Sequence, residues 1–446
     1  MISHRSLIAL SGAVLLIGAS IAACGSDRRE SPDDAGAVQG PGGPSPDSGL
    51  FTPGDGSLAE AGPPRAIGYV QGRVVAPEGT VPVSGAILYL TDSAPEPIPA
   101  NVYCDTCIKL SPLEPYTYSK PDGSFDLPVY RAGKQLLVVQ KGQFRRVREV
   151  LVTEGEQRFE PAFTRLPGKT DAARGDTIPK IAMAVGGYDK IDYSMKKLGI
   201  EEFYRYGDGP IQIGPTPPGT KVGISSNELM GAAATMSKYH IVLLPCASFG
   251  FDNGGSRFTC GAPTDGQKSA FRSYVEGGGK LYVTDYSYEA VRQTWPGFIS
   301  WYDDRMQPLD DSARGLGTAC RGSAEDTSGT VLDPGLKDWM SAIGHSSITL
   351  EQSWSRIQKV TPKPGVDPTG KPVTITPKVW MSSTVGGQTL PATVSFEQKC
   401  GRVLFSSYHA EGDSASQLLA QEKALLFILL EVGVCVGQLP PAPPPR

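Results

Sequence analysis

Several residues in this 446-residue chain are of types that can do chemistry. Cys104-Asp-Thr-Cys107 is a CxxC pair, a spacing used in redox centres, metal sites and short loop-closing disulfides. Redox use wants the motif at the start of a helix, whereas here prolines and Tyr103 surround it. A local Cys104–Cys107 disulfide is therefore the preferred expectation, with redox activity as the rival. Cys246 beside His409 would place a thiol next to an imidazole able to take its proton. The competing use of Cys246 is a disulfide with Cys260 across the glycine-rich loop between them, and this is the favoured one. Asp285, His409, Glu411 and Asp413 offer carboxylates and an imidazole that could converge, and such groups can ligate a metal. Their spacing shows no ligand pattern, and His240 and His345 have no neighbours suggesting ligation. Neither a metal nor a cofactor is expected.

The elements that must position these residues fall into two folded units. The first spans about 66–165 and reads as short strands between turns: Ile67–Val75, Ala86–Thr91, Ser124–Val129 after Pro121-Asp122-Gly123, Gln135–Gln140 and Arg146–Val152. Regular strands without a helix of useful length predict a β-sandwich. The second spans about 178–437. Lys180–Val185, Tyr239–Pro245, Lys280–Thr284 and Gly401–Ser407 read as buried strands. Helices near Tyr188–Leu198, over Thr264–Gly278 and over Ala415–Val432 separate them. Alternating buried strands and helices predict an α/β domain with a mainly parallel sheet. The stretch 303–375 breaks the rhythm and reads as an insertion around Cys320, with added strands at Lys371–Trp380 and Thr393–Glu397. A Pro-rich tail covers 438–446.

In the first unit, Gly72-Arg-Val-Val-Ala-Pro-Glu-Gly79, Pro82-Val-Ser-Gly-Ala-Ile-Leu-Tyr-Leu90 and Pro121-Asp-Gly-Ser-Phe125 resemble the carboxypeptidase regulatory-like domain, a transthyretin-like sandwich. That resemblance implies a structural or binding accessory and no peptidase activity.

In the second unit, Tyr239-His-Ile-Val-Leu-Leu-Pro-Cys246, the stretch from Gly278 to Val291 and Phe405-Ser-Ser-Tyr-His-Ala-Glu411 resemble, in order, three parts of the class I glutamine amidotransferase-like fold. These are its oxyanion strand, its nucleophile elbow and the strand delivering its His-x-Glu pair. The resemblance implies a flavodoxin-like α/β domain and gives His409 and Glu411 the base and orienting roles. It puts Asp285 where the family has its nucleophilic cysteine. Val283 and Ser287 replace the elbow glycines, and Pro245 and Cys246 replace the oxyanion glycines. Proline has no N–H to donate. With two of three requirements unmet, glutaminase activity is not expected.

The N-terminus supplies an address. Arg5 precedes an apolar run, Leu7–Ala23, shorter than a spanning helix and ending in Ala22-Ala23-Cys24, the layout of a secretory signal over 1–23. Ile21-Ala22-Ala23-Cys24 resembles the lipobox of bacterial lipoproteins, which implies acylation of Cys24. Gly25, rather than aspartate, follows the cysteine, and in a lipoprotein of that kind the resemblance implies the outer membrane of a Gram-negative cell. Residues 24–65 read as a disordered linker rich in Pro and Gly. Seven cysteines besides Cys24 would meet an oxidising compartment, where disulfides form. An odd number leaves at least one thiol free or paired between chains. Net charge is −4 and Arg145-Arg146 with Arg148 is too short a basic block for nucleic acid, reading instead as a solvated strand face.

The expectation is a cell-envelope lipoprotein that binds or scaffolds without catalysis. Its partners would be the membrane, through the lipid, and an envelope protein or glycan. The alternative is a hydrolase or carbohydrate-active protein using His409 with Asp285, Glu411 or Cys246. Trp295, Trp301, Tyr286 and Tyr288 would then offer an aromatic sugar-binding surface, although core packing is their more frequent use.

Overall fold

A computed structural model describes residues 64–111, 113–207, 221–223, 225–248, 261–309, 317–320, 323–410 and 417–431. The expectations for Cys24, Cys260, Cys435, Glu411, Asp413, the signal, most of the linker and the tail lie outside the described residues. Among the described residues no helix is long and apolar enough to cross a membrane.

Eight strands come first: β1 (Gly68–Arg73), β2 (Ile87–Thr91), β3 (Tyr116–Tyr118), β4 (Ser124–Val129), β5 (Gly133–Lys141), β6 (Phe144–Val152), β7 (Gly155–Arg158) and β8 (Asp176–Thr177). They form two sheets, β4-β1-β7 and β3-β2-β5-β6-β8. Period-two alternation drives this arrangement, since successive side chains on a strand face opposite ways. On β4, Phe125, Leu127 and Val129 are buried while Ser124, Asp126 and Pro128 are not fully so. They meet Leu88, Leu90, Leu137, Val139 and Val150 of the other sheet in one core. The β5–β6 hairpin turns through Gly142, and its strands pair in continuous antiparallel register from Gly133–Val152 to Lys141–Phe144. Arg146 is not a solvated residue. Its guanidinium is buried and bonded through two nitrogens to both oxygens of Asp176, and Arg148 joins the same carboxylate. A charge taken out of water needs such a partner.

After the single-turn α1 (Pro161–Thr164) the chain builds a ten-stranded sheet. Its parallel part uses β9 (Ile181–Ala184), β10 (Tyr204–Tyr206), β11 (Lys221–Gly223), β12 (Ile241–Leu244), β13 (Lys280–Thr284) and, far along the chain, β23 (Gly401–Ser406). The order is β11-β10-β9-β12-β13-β23, all parallel. Between β9 and β12 the order reverses, and just beyond the strand ends the two chains stay joined by a Gly186–Ser248 bridge. Open α/β sheets take ligands at the carboxyl ends of strands beside such a point.

Helices cover both faces, which is why these strands read as unbroken apolar runs. Ile181, Met183, Ile241, Leu243 and Leu404 pack beneath α2 (Ile191–Lys197) and α8 (Ala420–Glu431). Ala182, Ala184, Val242, Leu244, Val283 and Phe405 pack beneath α5 (Asp265–Glu276) and α6 (Glu289–Thr294). Between β11 and β12 lie the short α3 (Ser226–Met230) and α4 (Ala233–Met236). Helix α5 starts with a capping box in which Thr264 and Gln267 satisfy each other's backbone N–H groups.

Strand β14 (Ile299–Tyr302) precedes the stretch read as an insertion, which contributes β15 (Pro308–Leu309), β16 (Glu325–Val331), α7 (Pro334–Ala342), β17 (Ile348–Ser353), β18 (Ile357–Val360), β19 (Lys363–Val366) and β20 (Pro372–Ile375). With β21 (Lys378–Val385) and β22 (Gln388–Gln398), strands β16 and β17 extend the large sheet past β23 in antiparallel fashion, in the order β23-β22-β21-β16-β17. Trp295, Trp301 and Tyr288 are buried here: Trp301 packs on Tyr288 and Phe405, and Trp295 on Phe396. Tyr286 is buried in the same core, so all four aromatics considered for a sugar-binding surface are core residues.

Residues Ala61–Arg446 make one compact unit. The indole N–H of buried Trp339, on α7, donates to the carbonyl of Pro82 at 2.8 Å. A disulfide adds a second link, and it corrects the CxxC expectation. Cys104 is bonded to Cys400, 296 residues away, and not to Cys107. The segment before Cys104 is laid along the α/β sheet: Val102 N–H donates to the Ser237 carbonyl, and His240 Nε2 meets the Pro99 carbonyl. Without a tight turn over 104–107, the two cysteines cannot approach within the Cα separation a disulfide requires. Cys107 and Cys320 are also disulfide-bonded.

Candidate functional site

Three side chains named from the sequence meet at the carboxyl ends of adjacent strands. Cys246 follows β12, Asp285 follows β13 and His409 follows β23. One ligand-type atom from each, Cys246 Sγ, an Asp285 carboxylate oxygen and an His409 ring nitrogen, lies within 4.8 Å of the others. All three are buried, with Cys246 and Asp285 at 0% exposure and His409 at 3%. His409 Nε2 is 3.7 Å from Asp285 Oδ2, an ion-pair distance beyond hydrogen-bond reach.

Asp285 sits on an elbow. Strand β13 ends at Thr284, Asp285 has φ +46°, and a 3-10 turn over Asp285–Ser287 leads into α6. A non-glycine residue in the left-handed region is uncommon and costs free energy. A sharp strand-to-helix turn of this kind is how some hydrolases raise a nucleophile above a sheet. Here the raised group is a carboxylate, and it is capped. Trp354 and Ser355 donate their backbone N–H groups to Asp285 Oδ2 and Oδ1 at 3.0 and 2.6 Å. They belong to the connection between β17 and β18, so the insertion reaches across the site. That strap is itself anchored: Ser353 Oγ donates to the Ser407 carbonyl, and Arg356 donates to Ser353 and Ser355 carbonyls.

Cys246 carries a free thiol, so the expected Cys246–Cys260 disulfide is corrected. The physical reason is direction: its side chain is inside the second core, against Asp285. Burial pushes the thiol's pKa well above its ordinary value, and the Asp285 charge pushes it further the same way. The Tyr286 backbone N–H donates to the sulfur and opposes the rise. In an elbow hydrolase the N–H of the residue after the nucleophile serves the oxyanion hole; at this elbow it serves the thiol. The neighbouring backbone is also committed. The Cys246 carbonyl accepts from Gly187 N–H, and the Pro245 carbonyl accepts from Ser248 and Ser287 hydroxyls. Asp285 is likewise pushed well above the usual carboxylate range by burial, against which the Ser355 and Trp354 hydrogen bonds work. A thiol whose pKa burial holds well above its ordinary value is a poor nucleophile, because the thiolate is the reactive form.

Sequence reasoning missed Asp189, Trp354, Ser355 and Gln421. Buried Asp189 accepts from the Thr284 hydroxyl at 2.8 Å and from Ala410 N–H, tying the ends of β13 and β23 together. Its signal was position, just past the carboxyl end of β9 and the Gly186-Gly187 pair. Gln421 on α8 donates to the His409 carbonyl and accepts from Glu351 N–H, joining helix, site and strap. Of the aromatic group, Tyr286 alone reaches the site region, where it packs edge-on with Tyr188 and with Trp354.

No known family matches the sequence, and no curated protein does. Solved structures with which the fold aligns include a ThuA-like protein from Bacteroides uniformis, at 14% identity over 55% of this chain and 87% of that one, with a TM-score of 0.31. A β-galactosidase from Bacillus circulans aligns at 14% identity over 58% of this chain and 31% of its own, with a TM-score of 0.31. A cytoplasmic protein from Salmonella typhimurium aligns at 10% identity over 57% of this chain and 99% of its own, with a TM-score of 0.32.

Proposed function

We propose that this chain is an exported lipoprotein of the bacterial cell envelope, acylated on Cys24 and held at the outer membrane. In this reading a transthyretin-like β-sandwich precedes a flavodoxin-like, amidotransferase-like α/β domain that binds or scaffolds without catalysing a reaction. One observation carries the non-catalytic part: the Asp285 carboxylate at the elbow is fully buried and filled by the Trp354 and Ser355 N–H groups. The carboxylate is buried under the strap and the thiol beneath it is held in its protonated form by burial, so neither group is presented to a substrate. The strand order β10-β9-β12-β13-β23 supports the amidotransferase-like reading of the domain. Export is supported by cystine chemistry, since Cys104, Cys107, Cys320 and Cys400 are disulfide-bonded and such bonds persist in oxidising compartments.

Tyr188 and Trp354 stack at 6.1 Å beside the strap, both half-buried. An aromatic face of this kind suits a sugar ring, so a glycan of the envelope is the partner class favoured over a nucleic acid. Two assays test the proposal. Labelling cells with palmitate and fractionating them should place lipid on the wild-type chain, with Cys24→Ala unlabelled and released from membranes. Purified protein offered glutamine and short-chain esters should show no hydrolysis above buffer. Turnover that disappears in His409→Ala would establish the hydrolase alternative instead.

A further inference from the structure

We propose that Cys246, Asp285 and His409 form a buried mononuclear site for a borderline transition-metal ion, with Zn2+ the best fit. This goes beyond the non-catalytic reading and does not depend on it. The three ligand atoms come from the carboxyl ends of three neighbouring parallel strands and lie within 4.8 Å of one another. Zinc bonded to S, N and O at its usual lengths sets ligand atoms about 3.3–3.6 Å apart in a tetrahedron. The Asp285–His409 separation of 3.7 Å already approaches that edge and is too long for a hydrogen bond.

Ligand chemistry narrows the ion. A thiolate and an imidazole with one carboxylate suit Zn2+ and its neighbours, whereas Mg2+ and Ca2+ take all-oxygen shells. Charge also balances. Binding releases the thiol proton and, where present, the carboxyl proton, so that one thiolate and one carboxylate neutralise a divalent ion in a site excluded from water. No oxidation state changes. Three protein ligands leave one tetrahedral position for a further donor.

The surroundings are those of an oriented site. Metal-ligating carboxylates are themselves fixed by hydrogen bonds, and Asp285 is fixed by the Trp354 and Ser355 N–H groups. The backbone bearing His409 is fixed by Gln421 and by Asp189, which accepts from Ala410 N–H. Cys246 is also singular among the described cysteines. Cys104, Cys107, Cys320 and Cys400 are all in disulfides, while Cys246 alone keeps its thiol.

The test uses the full chain, purified in detergent without chelators or reductants from cells grown with added zinc. Elemental analysis should find about one zinc per chain, and Cys246→Ser and His409→Gln should each hold about tenfold less with unchanged circular dichroism. X-ray absorption at the zinc edge of the wild-type protein should show one sulfur at about 2.3 Å among lighter donors. Wild-type protein without zinc, variants that keep it, or a shell with no sulfur or several sulfurs would each overturn the proposal. If a variant does not fold, the wild-type spectrum decides. Hydrolytic turnover bears on the non-catalytic reading alone and leaves this result unaffected.

Discussion

Ser355 donates its backbone N–H to Asp285 Oδ1 at 2.6 Å, across 70 residues of sequence. With the parallel bond from Trp354, this contact converts an exposed elbow into a closed one. The carboxylate is thereby a structural acceptor, one of several groups that hold the strap between β17 and β18.

Asp285→Ala should therefore cost stability through the strap more than through the sheet. Two buried backbone donors lose their acceptor, at about 1–3 kcal/mol for a donor left unsatisfied. Relief of the left-handed φ is denied to alanine, so Asp285→Gly should be the milder change. Denaturant midpoints measure the order, and hydrogen exchange should show the amides of Trp354 and Ser355 losing protection first. Equal protection in variant and wild type would mean that the strap is held by other contacts.

His240 makes a second expectation, about pH. Its Nδ1 accepts from Lys180 N–H and its Nε2 faces the Pro99 carbonyl, the arrangement of a neutral ring. Burial depresses its pKa to about 4 from 6.5, with the Pro99 bond opposing and the Lys280 and Lys180 charges adding to the fall. Between those values the unfolded chain binds the proton and the folded one does not. Stability is thus present above pH 6.5 and is lost as pH falls toward 4, by roughly 3 kcal/mol at full effect. Urea unfolding at a series of pH values should show this slope in the wild type, and a shallower one in His240→Gln. Parallel slopes would assign the acid sensitivity elsewhere.

The Cys104–Cys400 link and its bed yield a third. Gly278 has φ +111°, and a Cβ there would stand 2.0 Å from the Tyr103 carbonyl oxygen. The segment leading to Cys104 can lie against the sheet because this position has no side chain. Cys400→Ser should lower stability by about 2–4 kcal/mol, the usual range for a long-loop disulfide. Gly278→Ala should slow or prevent the Cys104–Cys400 bond from forming. Denaturant midpoints read the first and peptide mapping without reductant the second, and an intact bond with unchanged stability in Gly278→Ala would contradict the close approach.

Much of this architecture was legible in the sequence for a physical reason. Strands buried on both faces, such as Ile181–Ala184 and Ile241–Leu244, must be continuous apolar runs, and strands buried on one face, such as Ser124–Val129, must alternate. The meeting of Asp285 and His409 was readable because both lie just beyond the carboxyl ends of such strands, whereas Cys246 read first as a disulfide partner of Cys260. The strap was not, since Trp354 and Ser355 act through backbone N–H groups that every non-proline residue possesses. Cysteine pairing was equally hidden. Cys104 and Cys107 are near in sequence, but an extended backbone kept them apart and brought in Cys400. The burial of Trp301 and Tyr288 depended on a partner, Phe405, a hundred residues away.

The closed site is tested most directly by the reactivity of Cys246. Native protein, treated with chelator so that no bound ion shields the thiol, would be exposed to iodoacetamide at neutral pH and mapped by mass spectrometry. The account predicts that Cys246 stays unmodified while the fold persists and is alkylated promptly after unfolding in guanidinium. Stoichiometric alkylation of the native protein, diminished in His409→Ala, would contradict it and reveal an open, activated thiol.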